Sequence, residues 1–332
     1  MNLIDTESAS RRMRSRLVRA EARSVLLSRL EGSAQEADLT VPPNCGGVGR
    51  IRHFRRATAA GWPENPLPID PAAKALGFAG EEMARAQIFQ NAACAWRCWY
   101  CYVPFELLAG NEARSEWVSA GDMVSRYAAE PDRPRIIDLS GGSPDLTPEW
   151  ILWTMQALRE AGLDRETYLW SDDNLSTDYF FGELSARDRQ AVADYSNYGR
   201  VCCFKGFDRA SFSFNTTADP ASFDRQFERF GRYLDAGLDL YAYVTLTGPT
   251  GDGVAEGVEA FVDRLQAISP LLPLRTIPLR IEPFGPLLAR RQRLETDTAL
   301  QVQETAVAAW THALATRFTD AERALNVADV KL

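Results

Sequence analysis

The sequence predicts an α/β protein built as a partial (β/α)6 barrel of the TIM-like kind, with an N-terminal cap made of a helix and loops. From residue 84, strand-like segments alternate with helix-like segments six times, which is typical of parallel strands joined by helices. The helix-like segments also carry apolar residues on one stripe, as at Phe223, Phe227, Phe230 and Leu234. One short loop, rich in cysteine, follows the first of these strands.

The predicted elements follow one another without long gaps. The expected strands are 86–93, 135–141, 166–172, 200–206, 239–247 and 275–283. The expected helices are 115–129, 148–161, 178–195, 221–236, 254–268 and 297–317. Thr147 followed by Pro148 favours the start of the second helix, and Gly162 favours its end.

Three regions are expected: an N-terminal region at 1–83, the partial barrel at 84–318 and a C-terminal tail at 319–332. The first is expected to cap the substrate and begins with a candidate helix over 6–30. An arginine-rich face marks that helix, formed by Arg11, Arg12, Arg16, Arg19 and Arg23. A Pro/Gly-rich stretch of ordered loops follows. A basic cluster there could bind a phosphate or carboxylate, or could be a solvated surface patch: Arg50, Arg52, His53, Arg55 and Arg56.

Composition is that of a globular chain, with 332 residues, 45% of them hydrophobic and 25% charged. No apolar run approaches the roughly 18 residues of a membrane span. The first residues lack the apolar stretch of a signal peptide. We therefore expect a cytoplasmic protein without a membrane partner. The net charge of −8 argues against broad nucleic-acid binding.

Cys94, Cys98 and Cys101 stand at the spacing C-x3-C-x2-C in the stretch FQNAACAWRCWYCYVP. A loop this short can wrap one corner of an iron–sulfur cube and give one thiolate to each of three irons. Because no fourth cysteine is close in sequence, one iron would stay open to an outside ligand.

A structural zinc site and a disulfide are the alternatives. Zinc usually takes four Cys or His ligands. The two histidines, His53 and His312, are far from the loop in sequence, although Cys45 could complete a site. The remaining cysteines form no disulfide framework.

With Tyr100 as the aromatic residue before the last cysteine, this spacing resembles the signature of the radical S-adenosylmethionine superfamily. The resemblance implies a 4Fe–4S cluster and S-adenosylmethionine as cofactors. It implies reductive cleavage of S-adenosylmethionine to a radical, usually 5′-deoxyadenosyl, that takes a hydrogen atom from substrate. It also implies an electron donor such as flavodoxin or ferredoxin, and an open β/α barrel with the cysteine loop after the first strand.

The second strand ends in Gly141, Gly142, Ser143 and Pro144. Alone, two glycines most often mark a turn. After a cysteine loop, they resemble the superfamily's Gly-Gly-Glu-Pro segment, which holds the amino group of S-adenosylmethionine. Ser143 stands where glutamate is usual, so that contact would be uncharged or made by backbone.

Two further strand ends carry polar residues. The third strand ends in a polar segment, Ser171, Asp172, Asp173 and Asn174. This segment, and Ser171 and Asp173 in particular, is expected to bind ribose or substrate, with a capped turn as the alternative. The fourth strand ends in Lys205. Its Lys-Gly-x-Asp stretch resembles the matching strand end of glycyl-radical-activating enzymes, where a lysine helps to bind S-adenosylmethionine.

Alternation along a strand predicts which side chains face the lumen. If Lys205 points inward, Cys203 does too, and Cys202 packs against helices. The Cys203 thiol could return a hydrogen atom to a substrate radical, or could be an inert buried cysteine. The fifth strand should turn a polar face inward, formed by Tyr241, Tyr243, Thr245 and Thr247.

The sixth strand, by the same alternation, should send Pro278, Arg280 and Glu282 inward. Arg280 is then a candidate for binding the carboxylate of S-adenosylmethionine or of substrate. A structural Arg280–Glu282 ion pair is the alternative.

These observations predict a radical S-adenosylmethionine enzyme acting on a small polar or anionic metabolite, with specialised metabolism as one expected setting. Cys203 is the candidate catalytic residue. The alternative enzyme is an activase or modifier of a protein or peptide. The alternative outside enzymes is a non-catalytic iron–sulfur or zinc protein.

Overall fold

The computed structural model describes residues 3–291 and 296–332. Its strands are β1 Val18–Arg19, β2 Ser24–Ser28, β3 Gly49–Arg55, β4 Met83–Phe89, β5 Ser115–Ser119, β6 Ile136–Leu139, β7 Tyr168–Asp173, β8 Tyr198–Phe204, β9 Leu240–Thr245 and β10 Thr276–Leu279. Its helices are α1 Thr6–Arg14, α2 Ile69–Leu76, α3 Ala120–Ala129, α4 Pro148–Glu160, α5 Tyr179–Glu183, α6 Ala186–Ala193, α7 Arg209–Thr216, α8 Ser222–Asp235, α9 Val254–Ile268, α10 Pro286–Arg291, α11 Thr296–Arg317 and α12 Asp320–Arg323.

The main sheet has seven strands in the order β10-β9-β8-β7-β6-β4-β3 and curls into a half-barrel. Six strands are parallel, and β3 joins antiparallel at the β4 edge. The predicted α/β class is confirmed, and the half-barrel is compatible with the predicted TIM-like layout. The extra strand β3 comes from the region expected to be loops.

Each strand of the half-barrel separates two apolar clusters, because neighbouring side chains point to opposite faces. Toward the helices, Phe204 of β8 packs against Phe227 and Phe230 of α8. Toward the lumen, Trp170 of β7 packs against Tyr241 of β9. The polar face predicted for β9 therefore does face the lumen.

The sixth parallel strand, β10, faces the other way from the prediction. It pairs with β9 in a register that places Ile277 beside Tyr243 and Leu279 beside Thr245. Residues side by side in a sheet share a face, so Ile277 and Leu279 face the lumen and Pro278 faces outward. The strand ends at Leu279, so alternation does not govern Arg280.

The prediction of one helix over 6–30 holds for its first turns only and is wrong for the residues after Arg14. The helix α1 is capped by Asp5, whose carboxylate accepts a hydrogen bond from the Ser8 amide, and it ends at Arg14. β1 and β2 follow and form a small antiparallel sheet with β5. All five residues of β2 are buried, and periodicity cannot distinguish such a short apolar run from a helix.

Two other helix boundaries differ from the prediction. The first five residues of the helix expected over 115–129 form β5, and Ser119 then caps α3. The helix expected over 178–195 is two helices, because Ser185 caps α6 by accepting a hydrogen bond from the Asp188 amide.

The cap expected for region 1–83 is not confirmed. The side chains of Phe54, Leu67 and Ile69 belong to the lumen cluster together with Tyr168, the first residue of β7. α2 and its flanking residues therefore close the lumen at the amino ends of the strands. Val327 near the C-terminus joins the same cluster.

Within the described ranges, no helix has the length and apolar character that crossing a membrane requires.

Candidate functional site

A cavity of about 410 Å³ opens at the carboxyl ends of the parallel strands. That volume is within the range of small-molecule sites, and this end of a parallel barrel is where ligands bind. Its lining combines thiols, charged groups, aromatic rings and two glycines, among them Arg50, Arg52, Cys94, Cys98, Tyr100, Cys101, Tyr102, Gly141, Gly142, Asp172, Cys203, Lys205, Tyr243 and Arg280.

All three cysteines of the loop after β4 line this cavity. Cys94 and Cys98 are buried, and Cys101 is half-buried. Hydrogen bonds from two tryptophans hold the loop in place. The Trp96 indole donates to the Thr6 hydroxyl, and the Trp99 indole donates to the Asn215 side-chain oxygen, each at 3.0 Å.

Asn215 of α7 also ties the loop to two strand ends. Its amide nitrogen donates to the carbonyl oxygens of Lys205, at 2.8 Å, and Thr247, at 3.0 Å. Because its oxygen accepts from Trp99, one side chain connects the cysteine loop to the ends of β8 and β9. Sequence reasoning missed this residue, since an asparagine inside a helix carries no distinguishing local signal.

Asn91 makes the corresponding connection to the glycine turn after β6. Its side chain donates to the Ser143 carbonyl at 2.9 Å and accepts from the Ser143 amide at 3.1 Å. Gly141 and Gly142 have φ of +84° and +68°, a conformation that glycine adopts without strain. A β-carbon at Gly142 would lie 2.4 Å from the Asn91 carbonyl oxygen. The backbone at Gly142 therefore lies against Asn91, at the start of the cysteine loop.

The thiols lie in a buried, partly cationic setting. Burial raises the pKa of Cys94 and Cys101, and raises that of Cys98 to about 12. The Lys205 ammonium acts in the opposite direction on the pKa of Cys98. Arg290 donates hydrogen bonds to the carbonyl oxygens of Cys101 and Val103, so it holds the far side of the loop.

In the ranges 3–291 and 296–332, no group of three His, Cys, Asp or Glu side chains is placed to hold a single metal ion. A cube of four irons makes a different demand, because each thiolate binds its own iron. Three sulfur donors on one short loop, facing one cavity with a lysine beside them, fit that demand.

Tyr100 and Lys205 are both half-buried in the cavity wall. The Tyr100 hydroxyl accepts a hydrogen bond from Thr245 at 3.1 Å, which fixes the ring against β9. Burial together with the Cys98 thiol raises the pKa of Tyr100. The Lys205 ammonium makes no hydrogen bond or ion pair to any residue that the structure describes.

Ser171 and Asp173 are not among the residues that line this cavity, and their role in binding stays a prediction. Ser171 exchanges a hydrogen bond with the Tyr198 hydroxyl at 2.8 Å, and Asp173 pairs with Arg200 at 3.3 Å. Both lie on the helix-facing side of β7, because Trp170 and Asp172 occupy the lumen side. The residue that reaches the cavity from this strand is therefore Asp172.

Ser143 also lies behind the cavity wall. It is fully buried, and its hydroxyl accepts a hydrogen bond from Asn174 at 2.8 Å and lies 3.8 Å from the Cys94 sulfur. Ser143 thus packs against Cys94, one of the three thiols of the loop.

Cys203 lines the cavity, whereas Cys202 belongs to the cluster between the sheet and the helices. The facing that alternation predicts is the one observed. Arg280 lines the cavity as well and forms an ion pair of 2.5 Å with Glu282. The structural pair named as the alternative is present, and it leaves Arg280 about one-third exposed.

Two carboxyl groups occupy the lumen: Asp172, which belongs to the polar segment expected to bind ribose or substrate, and Asp138, which was not predicted as a site residue. Asp172 accepts a hydrogen bond from Ser140, and Asp138 is fully buried with both carboxyl oxygens lacking a hydrogen-bond partner among the described residues. Burial and the neighbouring Asp172 raise the pKa of Asp138 well above its usual range, so we infer that it is protonated at neutral pH. Asp172 pairs in register with Val201, which shares the lumen face of β8 with Cys203.

We expect Gly142→Ala to destabilise the fold far more than a glycine change elsewhere at the same φ. The new methyl group would lie 2.0 Å from Asn91 Oδ1, so a loss of about 3 kcal/mol or more in urea unfolding is expected. Gly162→Ala is the matched control, with φ of +70° and open space around it, and should cost only about 1–2 kcal/mol. Equal losses would contradict the close packing.

We expect Asp138→Asn to change how stability depends on pH. A carboxyl group whose pKa is raised in the folded chain loses stabilising free energy as pH rises from its usual pKa to the raised one, at about 1.4 kcal/mol per pH unit. The variant lacks this loss. Its melting temperature should therefore equal that of the native chain near pH 4 and be higher than that of the native chain at pH 8. The exposed Asp235→Asn is the control. Parallel pH profiles for Asp138→Asn and the native chain would refute the assignment.

No protein-family model and no curated protein matches this sequence. One solved structure that is similar is that of anSMEcpe, a chain carrying a hexahistidine tag, "with bound AdoMet". It is 11% identical with a TM-score of 0.36, and the match covers 59% of this chain and 50% of that chain. The chain therefore spans half the length of that protein. A likeness this weak leaves function to be argued from the residues of the cavity.

Proposed function

We propose that this chain is a radical S-adenosylmethionine enzyme. The observation that carries the proposal is that three thiols at C-x3-C-x2-C spacing and the Gly141-Gly142 turn line one cavity at the carboxyl ends of parallel strands. Asn91 joins these two segments through hydrogen bonds to Ser143. A zinc site or a simple turn would explain one of the two segments, but not their shared cavity.

Cys94, Cys98 and Cys101 would hold a 4Fe–4S cluster and leave one iron without a protein ligand. When bound and reduced, the cluster would supply the electron that cleaves the sulfonium of S-adenosylmethionine to a carbon radical. The carbonyl oxygens of the glycine turn would accept from the amino group of S-adenosylmethionine. Because Ser143 is turned away from the cavity, this contact would use backbone alone.

Lys205 is the cation best placed for the carboxylate or ribose of S-adenosylmethionine. Its ammonium faces the cavity beside Cys98 and has no protein counter-ion within the described ranges. An unpaired buried cation is costly unless a ligand neutralises it. Tyr100, fixed by Thr245, would limit the volume open to the ligand on the β9 side.

The closed amino end of the lumen suits radical chemistry. Leu67, Ile69 and Tyr168 fill that end, and the cavity opens on the side of the cysteine loop. Excluding water protects a carbon radical from stray hydrogen donors. We propose a small polar or anionic substrate in this cavity, and an outside electron donor such as flavodoxin or ferredoxin.

We expect the cysteine triple variant Cys94→Ala/Cys98→Ala/Cys101→Ala to lose all cluster iron. After anaerobic reconstitution, the native chain should bind about four irons. With dithionite and S-adenosylmethionine, it should form 5′-deoxyadenosine, measured by chromatography and mass spectrometry. The triple variant should do neither.

Cys45→Ala is the matched control, because Cys45 is buried and lines no part of the cavity. It should keep both the iron and the product. A triple variant that retains four irons, or a native chain that takes up only zinc, would contradict the proposal.

Cys203 is the candidate hydrogen donor to a substrate radical. Burial raises the pKa of its thiol to about 12, so it keeps its proton at neutral pH. The S–H hydrogen atom would move to the substrate carbon, and the resulting thiyl radical would take one electron from the electron donor and one proton from solvent. In deuterated water, the native enzyme should therefore place one deuterium in its product.

Cys203→Ala should form 5′-deoxyadenosine but lose that product deuterium, as measured by mass spectrometry on the turned-over substrate. Cys202→Ala, which changes only helix-side packing at a cost of roughly 1 kcal/mol, should keep both. Unchanged deuterium in the Cys203→Ala product would exclude the donor role.

A further inference from the structure

The strand β3 brings two arginines into the lumen. It pairs antiparallel with β4, so that Arg50 lies beside Ile88 and Arg52 beside Ala86. Ile88 and Ala86 belong to the lumen cluster, so both arginines share that face and line the cavity. The basic cluster seen in the sequence is thereby divided in two.

The remaining members of that basic cluster lie elsewhere. His53 and Arg55 are not among the cavity-lining residues, and Arg55 is exposed. Arg56 forms an ion pair with Asp70. Of the five basic residues, Arg50 and Arg52 are therefore the two that line the cavity, and neither forms an ion pair with a described residue.

Arg50 is a buried cation with unused hydrogen-bonding capacity. It is 5% exposed, one terminal nitrogen donates to the Tyr102 hydroxyl at 3.3 Å, and its Nε has no partner among the described residues. Its guanidinium carbon lies 5.6 Å from the centre of the Tyr102 ring. A neutral hydroxyl does not compensate a buried charge.

Arg52 lies two residues further along the same face and is half-buried. Its guanidinium carbon is 4.3 Å from the centre of the Phe54 ring, and it makes no hydrogen bond or ion pair to a residue that the structure describes. Both guanidinium groups can therefore present paired donors to one ligand group. Arginine pairs bind carboxylate and phosphate in this way.

The charge balance of the lumen also favours an anion. Arg50, Arg52 and Lys205 face Asp138 and Asp172, and no ion pair within 4.0 Å links these two groups in the part of the chain that the structure describes. Among the described residues that line the cavity, Arg280 adds a fourth cation, and Asp38 and Glu282 join Asp172 as three carboxyl groups, so cations outnumber carboxyl groups in the lining by one. A ligand that carries negative charge would neutralise the excess.

The depth of the two arginines separates this position from the glycine turn. Arg52 is beside Ala86, which pairs with Ile136 at the start of β6, whereas Gly141 lies beyond the end of that strand. At about 3.3 Å per residue, the backbone of Arg52 is more than 10 Å deeper. The Arg52 backbone thus lies at the floor of the cavity, Arg50 lies beside Ile88 near the carboxyl end of β4, and the glycines lie at the rim.

We propose that Arg50 and Arg52 bind a carboxylate or phosphate group of the substrate at the wall of the cavity that β3 forms, with Tyr102 orienting Arg50. That the ligand is the substrate rests on the proposed function. The anion site itself rests on the geometry of β3 and does not require a cluster.

The test uses the full-length chain without iron and inorganic phosphate as the probe. Phosphate should raise the melting temperature above that in sodium chloride of equal ionic strength, because a ligand that binds only the folded chain stabilises it. Arg52→Gln should raise the phosphate concentration that gives half of this stabilisation, the phosphate midpoint, roughly tenfold to a hundredfold. Arg52→Lys keeps the charge but lacks the paired donors, so its phosphate midpoint should lie between those of the native chain and Arg52→Gln. Acetate in place of phosphate shows whether carboxylate binds as well.

Arg55→Gln is the matched control, since it removes an exposed arginine from the same strand outside the cavity. It should leave the phosphate midpoint unchanged. Phosphate stabilisation that persists in Arg52→Gln, or that falls equally in Arg55→Gln, would overturn the anion site.

The reconstituted chain then separates substrate from cofactor. Calorimetry should show the same S-adenosylmethionine affinity in Arg52→Gln and in the native chain, and phosphate should still stabilise the native chain with S-adenosylmethionine bound. A tenfold loss of S-adenosylmethionine affinity, with phosphate displaced by the cofactor, would assign these arginines to the cofactor and overturn the substrate proposal. Failure to bind iron or S-adenosylmethionine at all would refute the proposed function and leave the phosphate result standing.

Discussion

The contact between Asn91 and the backbone of Ser143 holds the candidate site together. It joins the segment leading into the cysteine loop to the turn after the neighbouring strand, and it leaves no room for a β-carbon at Gly142. Asn215 makes the equivalent connection on the other side, between Trp99 and the ends of β8 and β9. The thiols, the glycine turn and Lys205 can face one cavity because these two amides fix the loop relative to three strands.

Alternation along strands explains most of what the sequence could predict. Once Lys205 is assumed to point inward, Cys203 and the polar face of β9 follow, and both face the lumen. The same rule failed at β10, because the register with β9, which pairs Tyr243 with Ile277, is a long-range property that no local pattern reveals. At β7 the sequence predicts a binding role for the polar segment 171–174 as a whole, whereas the fold turns Asp172 toward the lumen and Ser171 and Asp173 toward the helices.

The N-terminal region shows why the rest could not be predicted. The five buried residues of β2 have no alternation, and the loop-like composition around β3 conceals a strand whose arginines complete the lumen. Whether an arginine of β3 is available to bind a ligand depends on whether it finds a protein partner after folding. Arg56 meets Asp70, whereas Arg50 meets only the Tyr102 hydroxyl. Such differences arise from tertiary contacts, as does the raised pKa of Asp138, which is caused by burial and by the neighbouring Asp172.

The three-cysteine loop, as we propose it, leaves one position of a cluster open toward the cavity that holds the glycine turn. The decisive experiment is electron paramagnetic resonance of the anaerobically reconstituted and reduced chain, recorded with and without S-adenosylmethionine. We expect the signal of a reduced 4Fe–4S cluster whose shape changes when S-adenosylmethionine is added, and which is absent from the chain lacking the three cysteines. A cluster signal that S-adenosylmethionine leaves unchanged at saturating concentration would contradict the open position.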